Sequence, residues 1–357
     1  MATKGDKKTE LIRLLEATTQ NKASDLHLLT GVPPTLRVDG SLMQLDYEAL
    51  TAAETEGFAE VLASADQLAK LKEKRAEIDL AFPYKEFRFR VNIYYARGEM
   101  AISLRALSNL IPKLADLGVP TIVETLISSK QGLLVVTGPT GHGKSTTLAS
   151  IVDVINSTKG GHIITVEDPV EYVFEHKKAL ISQRQVGLDT PTFGAALKGA
   201  LREDPDVVLV GEMRDLESVE AVMTLAETGH LVLTTLHTNS ASQTADRIVD
   251  VFPEHQQSQI RAQLASVLLG IVSQRLLPRV KGGRVLASEV LVANPAVRST
   301  IRDGKTHQLP NIIQTSSSEG MISLDKVLAD LVNNGEITLD DAINWAQDAK
   351  ELKMLIY

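Results

Sequence analysis

The apolar positions of this chain change their period along its length. Thr9–Gln20 reads as a helix, followed by Ser24-Asp-Leu-His-Leu28. Short strand-like pieces come at Thr35–Val38 and Arg88–Tyr95, with a helical stretch, Thr51–Leu71, between them. Residues 1–107 therefore predict a small α+β domain. Ser108–Pro120 carries two prolines and a glycine and reads as a linker. Beyond Ile122, buried-strand runs alternate with helical ones. The strands are Gly132–Thr137, His162–Val166, Asp206–Val210 and Leu231–His237; the helices between them are Ser145–Asn156, Phe193–Glu203 and Leu216–Glu227. Such alternation predicts an α/β core, residues 121–292, with a mostly parallel sheet covered on both faces. A long helix is expected at His255–Leu277 and a strand at Val285–Val292. Residues 293–357 read as a helical tail broken by Gly and Asn.

The first strand of that core runs into Gly138-Pro139-Thr140-Gly141-His142-Gly143-Lys144-Ser145, with Thr146 following in the helix. This is a complete G-x-x-x-x-G-K-[ST] phosphate loop in its required setting of strand, loop and helix. Its backbone N–H groups and the helix start present donors to phosphate oxygens. Lys144 reaches β/γ phosphates, and the Ser145 hydroxyl suits Mg²⁺. ATP and Mg²⁺ are thus the expected ligands. In an open parallel sheet the nucleotide belongs at the carboxyl ends of the strands.

Three later segments deliver polar groups to those ends. Asp206–Glu212 is a buried run closing on Gly211-Glu212, and hydrolysis needs a carboxylate to orient or deprotonate water; Glu212 is the candidate. The acidic cluster Glu167, Asp168 and Glu171 follows another strand, and one of these carboxylates is expected near Mg²⁺-bound water. His230 and His237 bracket Leu231–Leu236. His237 ends its strand on the phosphate side, where it would sense the γ-phosphate; His230 begins it and suits packing or an interface.

Bulk properties narrow the partners. The 357 residues are 43% hydrophobic and 23% charged, as in an ordinary globular protein large enough for two domains. A net charge of −8 argues against nucleic acid as the main partner. The absence of cysteine removes disulfides, cysteine-ligated zinc and thiol catalysis. No signal peptide is expected in the charged start Met-Ala-Thr-Lys-Gly-Asp-Lys-Lys. The longest uncharged apolar stretch, Ala262–Gln274, falls short of the ~18 residues a span needs, so membrane association is expected only through a partner.

Taken in order, the phosphate loop, Glu167-Asp-Pro-Val-Glu171, Gly211-Glu-Met-Arg-Asp215 and Gly229-His-Leu-Val-Leu-Thr-Thr-Leu-His-Thr238 closely resemble the secretion ATPase superfamily of type II secretion and type IV pilus motors. The resemblance runs from Ser24-Asp-Leu-His-Leu28 and Pro33–Gly40 to the tail and is strongest to the pilus retraction ATPases, with their PilT-like and PilU-like branches. It implies a PAS-like N-terminal domain, a RecA-like ATPase domain and a homo-hexamer. It also implies Glu212 as catalytic glutamate, Glu171 as the Asp-box acid, and His230 and His237 as the His-box pair. Arg90 and Arg105 match the family's arginine pair, which would neutralise charge on the transferring phosphoryl group. The family's implied function is pilus retraction: a cytoplasmic motor acting on an inner-membrane platform protein, in some cases beside a paralogous pilus ATPase. A PilU-like accessory subunit and a DNA-translocating RecA-like motor are the alternatives. Lack of a four-cysteine zinc insertion sets the chain apart from extension and secretion motors. In Ala296-Val-Arg-Ser-Thr-Ile-Arg302 the retraction motif keeps Arg298 and Arg302 but departs at Ser299 and Thr300. His142 stands where the family usually has a small residue.

Overall fold

The computed structural model describes residues 4–356 apart from Asp39, Arg75, Glu86 and Asn109. Met1–Thr3 of the charged start, Asp39 of Pro33–Gly40, Asn109 of the linker and Tyr357 of the tail lie outside the described residues. The chain divides into two compact units, Met1–Leu110 with Glu171–Val173, and Ile111–Val170 with Phe174–Tyr357. The divide falls within the Ser108–Pro120 stretch.

The first unit opens with α1 (Lys4–Gln20), β1 (Asp25–Leu28), β2 (Thr35–Val38) and β3 (Ser41–Gln44). It continues with α2 (Ala52–Leu62), α3 (Ala65–Lys74), β4 (Ile78–Tyr84), β5 (Phe87–Ala96) and β6 (Glu99–Ser108). The strands form one antiparallel sheet in the order β3-β2-β1-β6-β5-β4. Alternation along the strands turns Leu26, Leu28, Phe89, Val91, Ile93, Ile102 and Leu104 into a core shared with Leu11, Leu15 and Phe58 of the helices. The helix expected over Thr51–Leu71 is two helices. A capping box of Thr51 and Glu54 starts α2, which ends where Ala63 turns extended. Ser64 and Gln67 then exchange side-chain-to-backbone hydrogen bonds of 2.9 and 3.3 Å, a second start signal that opens α3.

The second unit is built on β7 (Gly132–Thr137), β8 (Gly161–Glu167), β9 (Ala179–Gln185), β10 (Val207–Val210), β11 (Leu231–Leu236), β12 (Leu268–Pro278) and β13 (Arg284–Val292). Its sheet order is β13-β12-β7-β11-β10-β8-β9. The strands from β12 to β9 are parallel, and β13 adds an antiparallel edge. The helices are α4 (Ile122–Ile127), α5 (Lys144–Thr158), α6 (Phe193–Ala200), α7 (Leu216–Glu227), α8 (Ala241–Asp250) and α9 (Glu254–Val267). The tail holds α10 (Pro295–Arg302), α11 (Leu309–Thr315), α12 (Leu324–Asn333), α13 (Leu339–Trp345) and α14 (Ala349–Leu355). β7, β10 and β11 are buried throughout, as central strands covered on both faces must be.

One expectation needs correcting. The helix expected at His255–Leu277 ends at Val267, and the rest of the run is β12. Leu268–Leu277 is apolar enough for either element, and it has a vacant place between β7 and β13. Gly270 makes the fit possible, because a Cβ there would lie 2.8 Å from Leu126 Cδ1 and 2.8 Å from the Leu291 carbonyl oxygen. β9 was not anticipated either. It is an edge strand of mixed polarity, positioned in part by buried Asn156, whose side chain bonds the backbone of Glu175 and Lys177 at 2.8 and 3.1 Å.

Replacing Gly270 with Ala should destabilise the fold by about 1–3 kcal/mol, as overpacking against backbone does. Urea unfolding measures this, and an unchanged midpoint would show that β12 is not so tightly held.

Candidate nucleotide site

β7 ends at Thr137, and the phosphate loop that follows runs into α5 at Lys144. Thr137 ties its strand end to that of β11. Its hydroxyl lies 2.9 Å from the Thr238 carbonyl and accepts from the Thr238 N–H at 3.1 Å. Gly138 follows at φ 142°, where a Cβ would stand 2.3 Å from the Gln274 carbonyl oxygen of β12. Only glycine fits both the angle and the space. Gly143, at φ 81°, is the N-cap of α5 and supplies no side-chain cap, so the first-turn N–H groups of this 15-residue helix are left for a ligand.

Lys144 is buried at the loop mouth. Its ammonium donates to the carbonyls of Gly138 at 2.8 Å and Pro139 at 3.0 Å, and lies 3.4 Å from His237 Nδ1. His237 follows β11, and its Nε2 lies 3.3 Å from Glu212 Oε2. A single neutral tautomer, accepting at Nδ1 and donating at Nε2, satisfies both contacts. Glu212 follows β10. The Thr235 hydroxyl holds the preceding Gly211 carbonyl at 2.6 Å. The Glu212 carboxylate is 13% exposed and is also paired with exposed Arg214. The strand-end geometry therefore links loop lysine, histidine and carboxylate in one polar line. Arg214 was not singled out in the sequence, although a cation two residues after a strand-end carboxylate is a readable signal.

The other predicted residues divide between this rim, the first unit and the far end of β11. Ser145 is exposed in the first turn of α5, with Thr146 partly covered beside it. Glu167 ends β8 and accepts from the Thr165 hydroxyl at 2.7 Å. Glu171 is grouped with the first unit, as are Arg90 and Arg105. Asp25, Arg105 and Arg90 stand in one row across β1, β6 and β5. Arg105 Nε pairs with Asp25 at 2.9 Å. Burial acts to raise the Asp25 pKa, but hydrogen bonds from Ser24 and Arg105 outweigh it and hold the carboxyl below its ordinary range. Arg90 is exposed. His230 lies at the amino end of β11, about 23 Å of extended chain from His237 at ~3.3 Å per residue. There its Nδ1 meets the Leu225 carbonyl at 2.9 Å, at the end of α7.

His142 has a clear place. Its Nδ1 accepts the Leu276 N–H at 3.0 Å, and its carbonyl accepts from Gln274 Nε2 at 2.6 Å. Burial, and then the cations Arg275, Lys144 and Arg284, lower its pKa and favour the neutral ring this bond requires.

Among the described residues no group of three or more His, Asp or Glu is placed to hold a metal by itself. Mg²⁺ binds through few protein ligands together with substrate phosphates, and exposed Ser145, next to Lys144 in the first turn of α5, carries a hydroxyl that fits it.

A family profile described as Type II/IV secretion system protein matches residues 4–342. The chain is 42% identical over 334 residues to the type IV pilus retraction ATPase PilT of Pseudomonas aeruginosa, covering 93% of this chain and 97% of that protein. It is 37% identical to the type IV pilus ATPase PilU of the same organism, over 97% of this chain and 91% of that one. Its fold is similar to a crystal structure of the pilus retraction motor PilT with bound ADP, at TM-score 0.90 and 46% identity, covering 96% of this chain and 98% of that one. The chain belongs to the type II/IV secretion system protein family, and it resembles that family's pilus retraction ATPases over nearly its whole length.

Proposed function

We propose that this chain hydrolyses ATP with Mg²⁺ and powers type IV pilus retraction as a homo-hexameric motor. The line from Lys144 through His237 to Glu212 carries the reading, because it joins a phosphate-binding loop to a carboxylate placed to handle water. The first unit takes the role of a PAS-like domain and the second that of a RecA-like ATPase domain with a helical tail. Similarity to PilT along both units supports this division.

The loop N–H groups and Lys144 bind and orient the polyphosphate. Glu212 orients the attacking water and takes its proton, and His237 reports the γ-phosphate to Glu212. Ser145 would hold Mg²⁺, which when bound would supply charge neutralisation at the phosphates. Glu171 takes the role of the family's Asp-box acid. Arg90 and Arg105 supply the cation that phosphoryl transfer needs, which would couple hydrolysis to movement of the first unit. In Arg105 this requires giving up Asp25. His230 serves packing at the far end of β11. The proposed location is the cytoplasm, with docking on an inner-membrane platform protein. Among the described residues no helix is long and apolar enough to cross a membrane. The 37% identity to PilU favours one second reading, an accessory subunit beside a paralogous pilus ATPase.

Glu212→Gln should lower the ATPase rate of the purified chain by about 10²–10⁴-fold, the span of lost general acid–base catalysis, while nucleotide binding persists. Lys144→Ala should lose both binding and turnover. Wild-type rates in both variants would sink the mechanism. Arg90→Ala should cost on the order of 10³–10⁵ in turnover if it neutralises the transition state, and an unchanged rate rejects that role. Complementing a retraction-deficient strain tests the motor itself. Full twitching motility supports it, whereas ATPase activity appearing only after mixing with a paralogue identifies the accessory form.

A further inference from the structure

Trp345 is the only tryptophan of the chain, and it packs against the phosphate loop. Its ring meets that of His142 edge to face, with centroids 5.0 Å apart and planes at 65°. Its own position is fixed from behind. Two residues on, Gln347 donates its backbone N–H to Asp325 at 2.8 Å and its side-chain amide to Glu289 at 2.8 Å. The Asp348 N–H donates to the other Asp325 oxygen at 2.9 Å. Both acceptors are buried, Asp325 to 4% and Glu289 to 2% exposure. The helices α12–α14 enclose their own apolar cluster of Leu324, Leu328, Ile337, Ala342 and Leu352 together with Leu277 of β12 and Ala287 of β13.

The same contact reaches the nucleotide site from a second side. Arg275 lies 5.6 Å over the Trp345 ring and donates to the Asn239 carbonyl at 2.8 Å, two residues after His237. Glu289 accepts the Ala241 N–H at 2.7 Å at the start of α8. The tail thus touches the middle of the phosphate loop directly, and reaches the segment that follows β11 through Arg275 of β12 and Glu289 of β13. Trp345 thus meets both the His142 ring and the Arg275 guanidinium, two contacts that an aromatic ring makes and a smaller apolar side chain would lose.

We propose that Trp345 and His142 are positioning residues of the nucleotide site, through which docking of α12–α14 and nucleotide binding at the phosphate loop are coupled. His142 pins the loop midpoint to β12 by Nδ1, and Trp345 holds that ring in place. Loop N–H groups are then aimed at phosphate before nucleotide arrives, and nucleotide in turn strengthens the seat of the tail. The coupling rests on the ATPase reading only in requiring that a nucleoside polyphosphate fills the loop.

The test uses the full chain, Mg²⁺ and ADP. Retained radiolabelled ADP is measured by equilibrium dialysis, and Trp345 emission is followed across the same titration. Emission should change and saturate with the dialysis Kd. Trp345→Ala and His142→Ser should weaken ADP by roughly 3- to 10-fold, the scale of a lost edge-to-face contact, and Trp345→Phe should restore affinity to within about 2-fold. The ADP-induced change in Trp345 emission should shrink in His142→Ser, which a purely structural tryptophan would not report. ADP retained with unchanged emission, or wild-type ADP affinity in Trp345→Ala, overturns the coupling. No ADP retained by the wild-type chain overturns the nucleotide reading, and the coupling with it.

Discussion

The second unit depends on β12 lying hard against the start of the phosphate loop. At Gly138 the Gln274 carbonyl occupies the space where any Cβ would be. From that close approach β12 supplies successive groups to the loop. The Gln274 side chain bonds the His142 carbonyl and accepts from Thr147 of α5 at 3.1 Å. Arg275 reaches Asn239, and the Leu276 N–H meets His142. A loop of this kind works only if its N–H groups converge, and convergence needs rigid neighbours. β7 gives rigidity on one side through burial, and β12 gives it on the other through hydrogen bonds.

The parallel sheet explains why the chemistry gathers at one edge. β7, β8, β10 and β11 run the same way, so their carboxyl ends place the loop, Glu167, Glu212 and His237 along one rim. Thr137 and Thr235 lock neighbouring strand ends together just below that rim. The antiparallel first unit has a different logic. Its inward positions build a core with the helices, and its outward positions carry a charged row of Asp25, Arg105 and Arg90.

Much of the site could be read before any fold was known. The loop from Gly138 to Ser145 has a fixed spacing because phosphate geometry is fixed, and its strand and helix are local patterns. Glu212 and His237 were legible because each closes a short buried run that can only be a central strand. β12 was not legible as a strand, because Leu268–Val272 continues the helical run without a break signal and periodicity cannot choose between a buried helix and a short buried strand. β9 carried too little apolar signal, since an edge strand is half exposed. The break at Ala63–Ser64 lay in capping chemistry rather than in hydrophobic spacing.

The sequence by itself determined the phosphate-loop pattern and the α/β alternation, because these rest on contacts between near neighbours in the chain. It also marked His142 as unusual without saying why. Only the tertiary structure decided that Leu268–Pro278 is a strand, that Arg214 pairs with Glu212, and that Trp345 packs on His142 from 203 positions away. Those outcomes depend on which segments the sheet order brings together, and distant partners leave no periodic trace in the order of residues.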